Sequence, residues 1–193
     1  MKLVGEVNAE IVRQINDLDG KAVGVSAKDA GIMRVRKYLA PADDGPVDIG
    51  YVGDVEHIDT APLLDLIEKG MVPVVAPIGR GPKGESFNVN ADTAAGEIAA
   101  ALHAEKLVFM TDVPGIMRDP ADDATLLSTV HVKEVDGLVA AGVIQGGMIP
   151  KVEACTKSVK SGVRKTHVID GRVPHAMLLE VYTREGVGTQ IVQ

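Results

Sequence analysis

Two asparagines and an aspartate stand just before a run of helix formers in NVNADTAAGEIAAAL, residues 88–102. Asn and Asp side chains accept hydrogen bonds from the free N–H groups of a helix's first turn, so Asn90 or Asp92 is expected as an N-cap. One cap does not require three such residues, and the spare amide and carboxylate are groups that a polar ligand could use. A second such place is GGMIPK (146–151), where two glycines loosen the backbone and a helix is expected to start at about Ile149. Its free N–H groups would make an anion site. Lys151 stands in that first turn, where the helix dipole disfavours a cation. A lysine set against the local preference reads better as a phosphate ligand than as a solvent-facing accident. TDVPGI (111–116) closes an apolar run with Asp, Pro and Gly. It reads equally as a tight turn and as a loop that wraps a nucleotide.

Other signals lead away from chemistry. GRGPKG (79–84) matches G-x-G-x-x-G, but ESFNVN follows it as extended chain. A dinucleotide loop needs a helix to open there, so a hairpin turn is the expectation. There is no G-x-x-x-x-G-K-[ST] and no G-x-S-x-G. The histidines at 57, 103, 131, 167 and 175 lack metal-ligand spacing, and no metal site is expected. Cys155, the only cysteine, lies between Val152 and Val159 at helical spacing and reads as a small core residue.

The elements that must carry these residues alternate along the chain. VGEVNAEIVRQIND (4–17) has helical spacing at Val4, Val7, Ile11, Val12 and Ile15, and Gly20 ends it. KAVGVSA (21–27), VDIGYVGDVEHID (47–59), MVPVVAPI (71–78), KLVFMTDVPGI (106–116) and RKTHVIDG (164–171) read as strands. TAPLLDLIEKG (60–70), the run after Asp92, HVKEVDGLVAAGV (131–143), MIPKVEACTKSVKSG (148–162) and PHAMLLEVYTREG (174–186) read as helices. Residues 34–50 are mixed, with a turn at 41–46, and GTQIVQ adds a last strand. Such alternation predicts an α/β fold: an open, mostly parallel sheet with helices on both faces, whose ligands bind beyond the strands' carboxyl ends. The 193 residues suit one domain; 46% are hydrophobic but only 3% aromatic, so the core must be aliphatic. A net charge of −7 without a basic stripe argues against nucleic acid, and no apolar run reaches membrane-spanning length. One cysteine and no signal-peptide core make the cytoplasm the expected setting.

NVNADTAAGEIAAAL, TDVPGI, GGMIPKVEAC, HVIDGRVPHAMLLEVYT and GVGT, in this order and spacing, resemble the acetylglutamate kinases of the amino acid kinase family, from about Val4 to Ile191. The resemblance implies a single amino acid kinase-like domain over 1–193 that represents its C-terminal, nucleotide-binding portion. It implies phosphoryl transfer from ATP, with Mg²⁺, to the side-chain carboxylate of N-acetyl-L-glutamate, a step of arginine biosynthesis. Asn88 matches the residue that binds acetylglutamate, Asp92 the carboxylate that orients the catalytic lysines, and Lys151 the lysine on the transferring phosphoryl group. Asp112, Val113, Pro114, Gly115, Ile116 and Met117, with Val143, Ile144 and Gln145, match stretches that line the ATP site. His175, Glu180, Gly186 and Gly188 fall in the segment that surrounds bound arginine in the arginine-inhibited members, so an arginine effector and a homo-oligomer are further expectations.

The chain also departs from the family pattern. The family's K-x-G-G strand, its H-G-G-G loop and the arginine after it are missing from the sequence. The resemblance is therefore to the family without its N-terminal part, and little turnover is expected of this chain alone. VSAKDAG (25–31) replaces the usual S-G-K-D-G while keeping Lys28 and Asp29. Two alternatives stay open: a catalytically inactive nucleotide-binding or regulatory module, and a kinase for a related acyl-amino acid such as an aminoadipate derivative.

Overall fold

A computed structural model of the chain describes residues 2–183 and 186–193. Their contacts gather into two compact units, Met1–Ala94 and Ala95–Gln193. Each has its own buried apolar residues: Ile32, Met33, Val35, Ile78 and Phe87 in the first, and Phe109, Ile116, Val152, Val168 and Ile191 in the second.

The first unit opens on a π-helical turn, Leu3–Asn8, that runs into α1 (Ala9–Asp17). The wider turn shifts the helix phase. Val4, Val12 and Ile15 are half-buried as their spacing predicts, but Val7 and Ile11 remain exposed and Asn8 turns inward. Burying an amide costs free energy unless it is bonded. The Asn8 Nδ2 donates to the Val74 carbonyl at 2.8 Å. The unit continues with β1 (Ala22–Ser26), β2 (Met33–Ala40), β3 (Val47–Ile58), α2 (Ala61–Glu68), β4 (Val72–Ala76), β5 (Ile78–Arg80) and β6 (Ser86–Asn88), and α3 (Ala91–Ala101) follows. β1 and β4 pair in parallel, from Ala22 opposite Val72 to Ser26 opposite Ala76.

The mixed reading of 34–50 gives way to a long hairpin. β2 and β3 pair antiparallel and close a small barrel with β5 and β6. Two glycines make that barrel possible. A Cβ at Gly79 would lie 2.3 Å from Val35 Cγ1, and one at Gly53 2.9 Å from Phe87 Cβ. With no Cβ there, Val35 and Phe87 fill the interior. The GRGPKG stretch is the hairpin turn expected of it: β5 and β6 pair antiparallel, and Gly84 takes a φ of 82°.

The second unit contains β7 (Lys106–Thr111), β8 (Thr129–His131), α4 (Val135–Ala140), α5 (Met148–Lys160), β9 (Lys165–Asp170), α6 (Ala176–Tyr182) and β10 (Thr189–Val192). The strand order is β7-β9-β10-β8, with β7 parallel to β9, β10 antiparallel to β9, and β8 parallel to β10. β9 is buried from Thr166 to Asp170. Alternate side chains of a strand face opposite ways. Val168 joins the apolar cluster of Val152 and Cys155 on α5, while His167 meets Glu180 on α6. Helices therefore cover both faces, as the α/β reading requires. The single helix expected over 131–143 is a 3₁₀ turn, Val132–Glu134, followed by the short α4. Glu134 accepts from the His131 N–H at 2.8 Å, a capping-box contact, and Gly142 at φ 70° ends the element. The last helix stops at Tyr182, and residues 184 and 185 of its expected span lie outside the described residues. No described helix is long and apolar enough to cross a membrane.

Close approach of α1 to β1 depends on Gly24, where a Cβ would sit 2.1 Å from Asn8 Oδ1. Gly24→Ala is expected to displace the buried amide and lower stability by about 1–3 kcal/mol. Gly5→Ala, whose Cβ meets nothing within 4 Å, should leave stability unchanged or slightly raised. Urea unfolding of both variants measures the difference; equal midpoints would refute the packing argument.

Candidate active site

In the first unit the three polar residues before α3 take separate tasks. Asn90 is the cap: its Oδ1 accepts from the Thr93 N–H at 3.0 Å. Asp92 lies in the first turn of α3, where the helix dipole favours a carboxylate. Asn88 ends β6 with an exposed side chain, and no hydrogen bond of its amide is found among the described residues. The cap is supplied by Asn90, so Asn88 is not needed for it.

In the second unit the stretch after β7 is anchored rather than loose. Thr111 Oγ1 bonds both the N–H and the carbonyl of Val113, at 3.1 and 2.9 Å. The Ile116 N–H donates to Thr189 Oγ1 at 2.8 Å, and Thr189 is fully buried. Gly115 lies between them at φ 152°, and a Cβ there would stand 2.5 Å from that same hydroxyl. Ile116 is packed in the core, while Asp112 is exposed and Val113, Pro114 and Met117 are half-buried. The loop therefore presents a polar rim on an apolar footing.

The parallel strands β7 and β9 end side by side, with Thr111 opposite Asp170. Asp170 accepts a two-pronged contact from Arg172, at 2.9 Å from Nε and 2.8 Å from Nη2. That guanidinium, with the Arg172 N–H, holds the carboxyl below its ordinary range, and Arg172 also feels the charge of Asp112. This cation at the strand ends was not singled out by sequence spacing; the Asp-Gly-Arg turn was its one local sign.

Val143, Ile144 and Gln145 connect α4 to α5. The Val143 and Ile144 N–H groups both return to the Leu138 carbonyl, at 2.9 and 3.2 Å, and Ile144 is buried. Gly146 takes a φ of 56°, and α5 begins at Met148, close to the expected start. Val152, Cys155 and Val159 turn inward, so the half-buried Lys151 stands beside the buried face, in the first turn. Cys155 is fully buried, a core residue as its spacing predicts. No group of three or more His, Cys, Asp or Glu able to hold a metal ion is found among the described residues.

A second polar feature lies over the Lys106 and Lys165 half of the strands, away from their carboxyl ends. It is a cleft of about 370 Å³ lined by Lys106, Lys165, His167, Glu180, Gly186 and Gln190, among others. His167 Nδ1 and Glu180 Oε1 are 2.6 Å apart, and both side chains are 5% exposed. Glu180 Oε2 accepts from the Val187 and Gly188 N–H groups at 2.7 and 3.2 Å. His167 Nε2 is buried with no partner among the described residues. Of the four residues expected to surround arginine, Glu180, Gly186 and Gly188 are brought together, whereas His175 stands exposed at the start of α6 in a left-handed conformation. The histidine that meets Glu180 is His167, thirteen residues away on another element, which spacing alone could not pair.

Thr189→Val removes the only acceptor found among the described residues for the buried Ile116 N–H. It is expected to cost about 1–3 kcal/mol, the penalty of an orphaned buried donor. Amide exchange should rise at Ile116 more than in α5. Unchanged protection at Ile116 would refute the anchoring role.

The model of the amino acid kinase family matches residues 1–170. Acetylglutamate kinase from Heliobacterium modesticaldum is 50% identical over 198 residues, covering 100% of this chain and 67% of the relative. That from Moorella thermoacetica is also 50% identical, covering 100% of this chain and 66% of its own length. The chain thus spans about two thirds of the length of these curated relatives. Among solved structures, smu.665 from Streptococcus mutans superposes with a TM-score of 0.78 at 26% identity, over 99% of this chain and 69% of that one. N-acetylglutamate synthase from Neisseria gonorrhoeae, complexed with coenzyme A and L-arginine, gives a TM-score of 0.74 at 23% identity, over 98% of this chain and 46% of that one; it shows the fold alone. The chain belongs to the amino acid kinase family, and within it is similar to the acetylglutamate kinases.

Proposed function

We propose that the chain serves ATP-dependent phosphorylation of the side-chain carboxylate of N-acetyl-L-glutamate, in arginine biosynthesis, and that residues 1–193 act as one amino acid kinase-like domain. The observation that carries this reading is 50% identity to acetylglutamate kinases over the whole chain. The local geometry supports it: a helix start capped by Asn90 that leaves Asn88 exposed, and a lysine in the first turn of α5.

The chemistry asks little of acid or base. The acceptor carboxylate is ionised at neutral pH, so no proton need be removed. Catalysis rests on alignment and on neutralising charge over the phosphoryl oxygens. Lys151 carries a point charge to the transferring group, and the turns over 112–117 and 143–145 hold the nucleotide. Asn88 binds the acceptor, and Asp92 orients the cations. Mg²⁺ would supply further charge neutralisation; without a three-group cluster among the described residues, it fits as an ion carried on the nucleotide phosphates.

The cleft at Glu180 favours a second element of the reading, an L-arginine effector. Lys106 and Lys165 offer charge to the effector's carboxylate, while Glu180, bonded to His167 and to the Val187 and Gly188 N–H groups, backs the cleft. Exposed Leu3, Val7 and Ile11 on the first helix, and Met177, Leu178 and Tyr182 on α6, are consistent with a homo-oligomer. The setting fits a cytoplasmic biosynthetic enzyme.

With ATP, Mg²⁺ and N-acetylglutamate, and hydroxylamine to trap the acyl phosphate, Lys151→Ala is expected to lower product formation at least about 100-fold. A measurable wild-type rate that the variant matches would overturn the role of Lys151. Calorimetry that finds no ATP binding to folded protein would overturn the kinase reading. For the effector, L-arginine should raise the melting temperature of wild type, and Lys165→Met should shrink that shift. A shift that is the same in both proteins would place arginine elsewhere.

A further inference from the structure

Arg172 stands two residues beyond the carboxyl end of β9, outside the stretches that match the family's ATP-lining segments. The register that sets Thr111 opposite Asp170 runs one step further, because the Gly171 N–H donates to the Thr111 carbonyl at 2.8 Å. Arg172 therefore emerges beside Asp112, the first residue of the anchored loop, and feels its charge. Thr166, Val168 and Asp170 share one face of β9. Val168 joins the cluster of Val152 and Cys155, so this is the face that α5 covers. A short turn links the end of α5 to the start of β9, so the strand runs back along the helix. Asp170 thus lies on the α5 side, toward the helix's first turn, where Lys151 stands. The pair itself is asymmetric: the Asp170 side chain is 10% exposed and that of Arg172 67%. Asp170 Oδ1 accepts from the Arg172 N–H and Nε, and Oδ2 from Nη2. One edge of the guanidinium is spent on Asp170, and Nη1 on the other makes no hydrogen bond among the described residues.

We infer that the outer edge of the Arg172 guanidinium binds the phosphate chain of the nucleotide, and that Asp170 is the positioning residue that aims it. The inference deepens the kinase reading above and rests on it. Three arguments choose a phosphate as the ligand. A guanidinium presents a planar fork of donors that matches phosphate oxygens, and it stays charged at any working pH. An arginine that only neutralised a buried carboxylate would share its burial, whereas this one keeps its second edge in water. Without Arg172, Asp170 and Asp112 would both turn negative charge toward a polyanion, so the guanidinium removes a repulsion as well as adding bonds. Asp170 spends its own acceptors on the backbone and side chain of Arg172, which fixes the guanidinium before the nucleotide arrives and lowers the entropy cost of binding.

Calorimetry of the whole chain with ATP, ADP and adenosine tests this. Arg172→Met is expected to weaken ATP and ADP at least about tenfold, the loss of charge-assisted bonds. Adenosine, which has no phosphate, should bind wild type and variant within about twofold of each other. Arg172→Lys should restore only part of the loss, because an ammonium lacks the fork. Asp170→Asn, which keeps the cation but loosens its aim, should weaken ATP less than Arg172→Met does. The double variant Arg172→Met/Asp170→Asn leaves no unpaired buried carboxylate, so it tests the bond where the single variant fails to fold; it should stay at least about tenfold weak for ATP. Recovery of ATP affinity in the double variant would overturn the inference, since Arg172 would then only screen Asp170. Unchanged ATP affinity in Arg172→Met, or an equal loss for adenosine, would overturn it too and leave the kinase reading standing. Absence of ATP binding to folded wild type would overturn both together.

Discussion

Burial of β9 is the constraint on which the second unit depends. The strand is covered on both faces, yet it carries Thr166, His167 and Asp170 among its apolar residues. Most polar groups removed from water find partners; Thr166 Oγ1 and His167 Nε2 are buried without one among the described residues. His167 finds Glu180 across one face. Asp170 finds Arg172 at the strand's end, and the Gly171 N–H continues the ladder to Thr111 at 2.8 Å. Gly188 can run against the Val168 carbonyl only because it lacks a Cβ, which would lie 2.2 Å from that oxygen. The same close passage brings in β10 and, with it, the Thr189 hydroxyl that fixes the 112–117 loop.

One strand therefore organises two polar regions at opposite ends of its length. At the carboxyl end, Arg172 pairs with Asp170 beside the anchored turn that follows Thr111. Over the other half, a buried His–Glu pair backs a cleft flanked by lysines. α5 joins in through apolar packing alone: Val152, Cys155 and Val159 hold it on the sheet, and that contact orients its first turn. The lysine there is positioned by burial of its neighbours.

The first unit reaches a polar face by a different route. Its small barrel closes because Gly53 and Gly79 admit Val35 and Phe87. Filling the inside turns Ser86 and Asn88 to the other side of β6, with Arg80 across from Ser86 and Ile78 across from Asn88. β2 escaped the sequence reading because its alternation is brief: Met33 and Val35 are buried, then the strand turns exposed from Arg36.

Local signals were legible wherever a residue acts on its own helix or turn. The cap at Asn90, the start of α5 near Ile149, the hairpin at GRGPKG and the burial of Cys155 follow from propensity and period, which involve neighbours a few residues apart. The family motifs were legible for the same reason, being contiguous. Long-range pairings were not. That His167 rather than His175 meets Glu180, that Thr189 anchors Ile116, and that Lys28 reaches Ser86 across 58 residues are decided by strand register and by which face is covered. A sequence names the groups and their local geometry. Only the tertiary structure decides which buried donor finds which acceptor, because that choice is set by the desolvation of both at once.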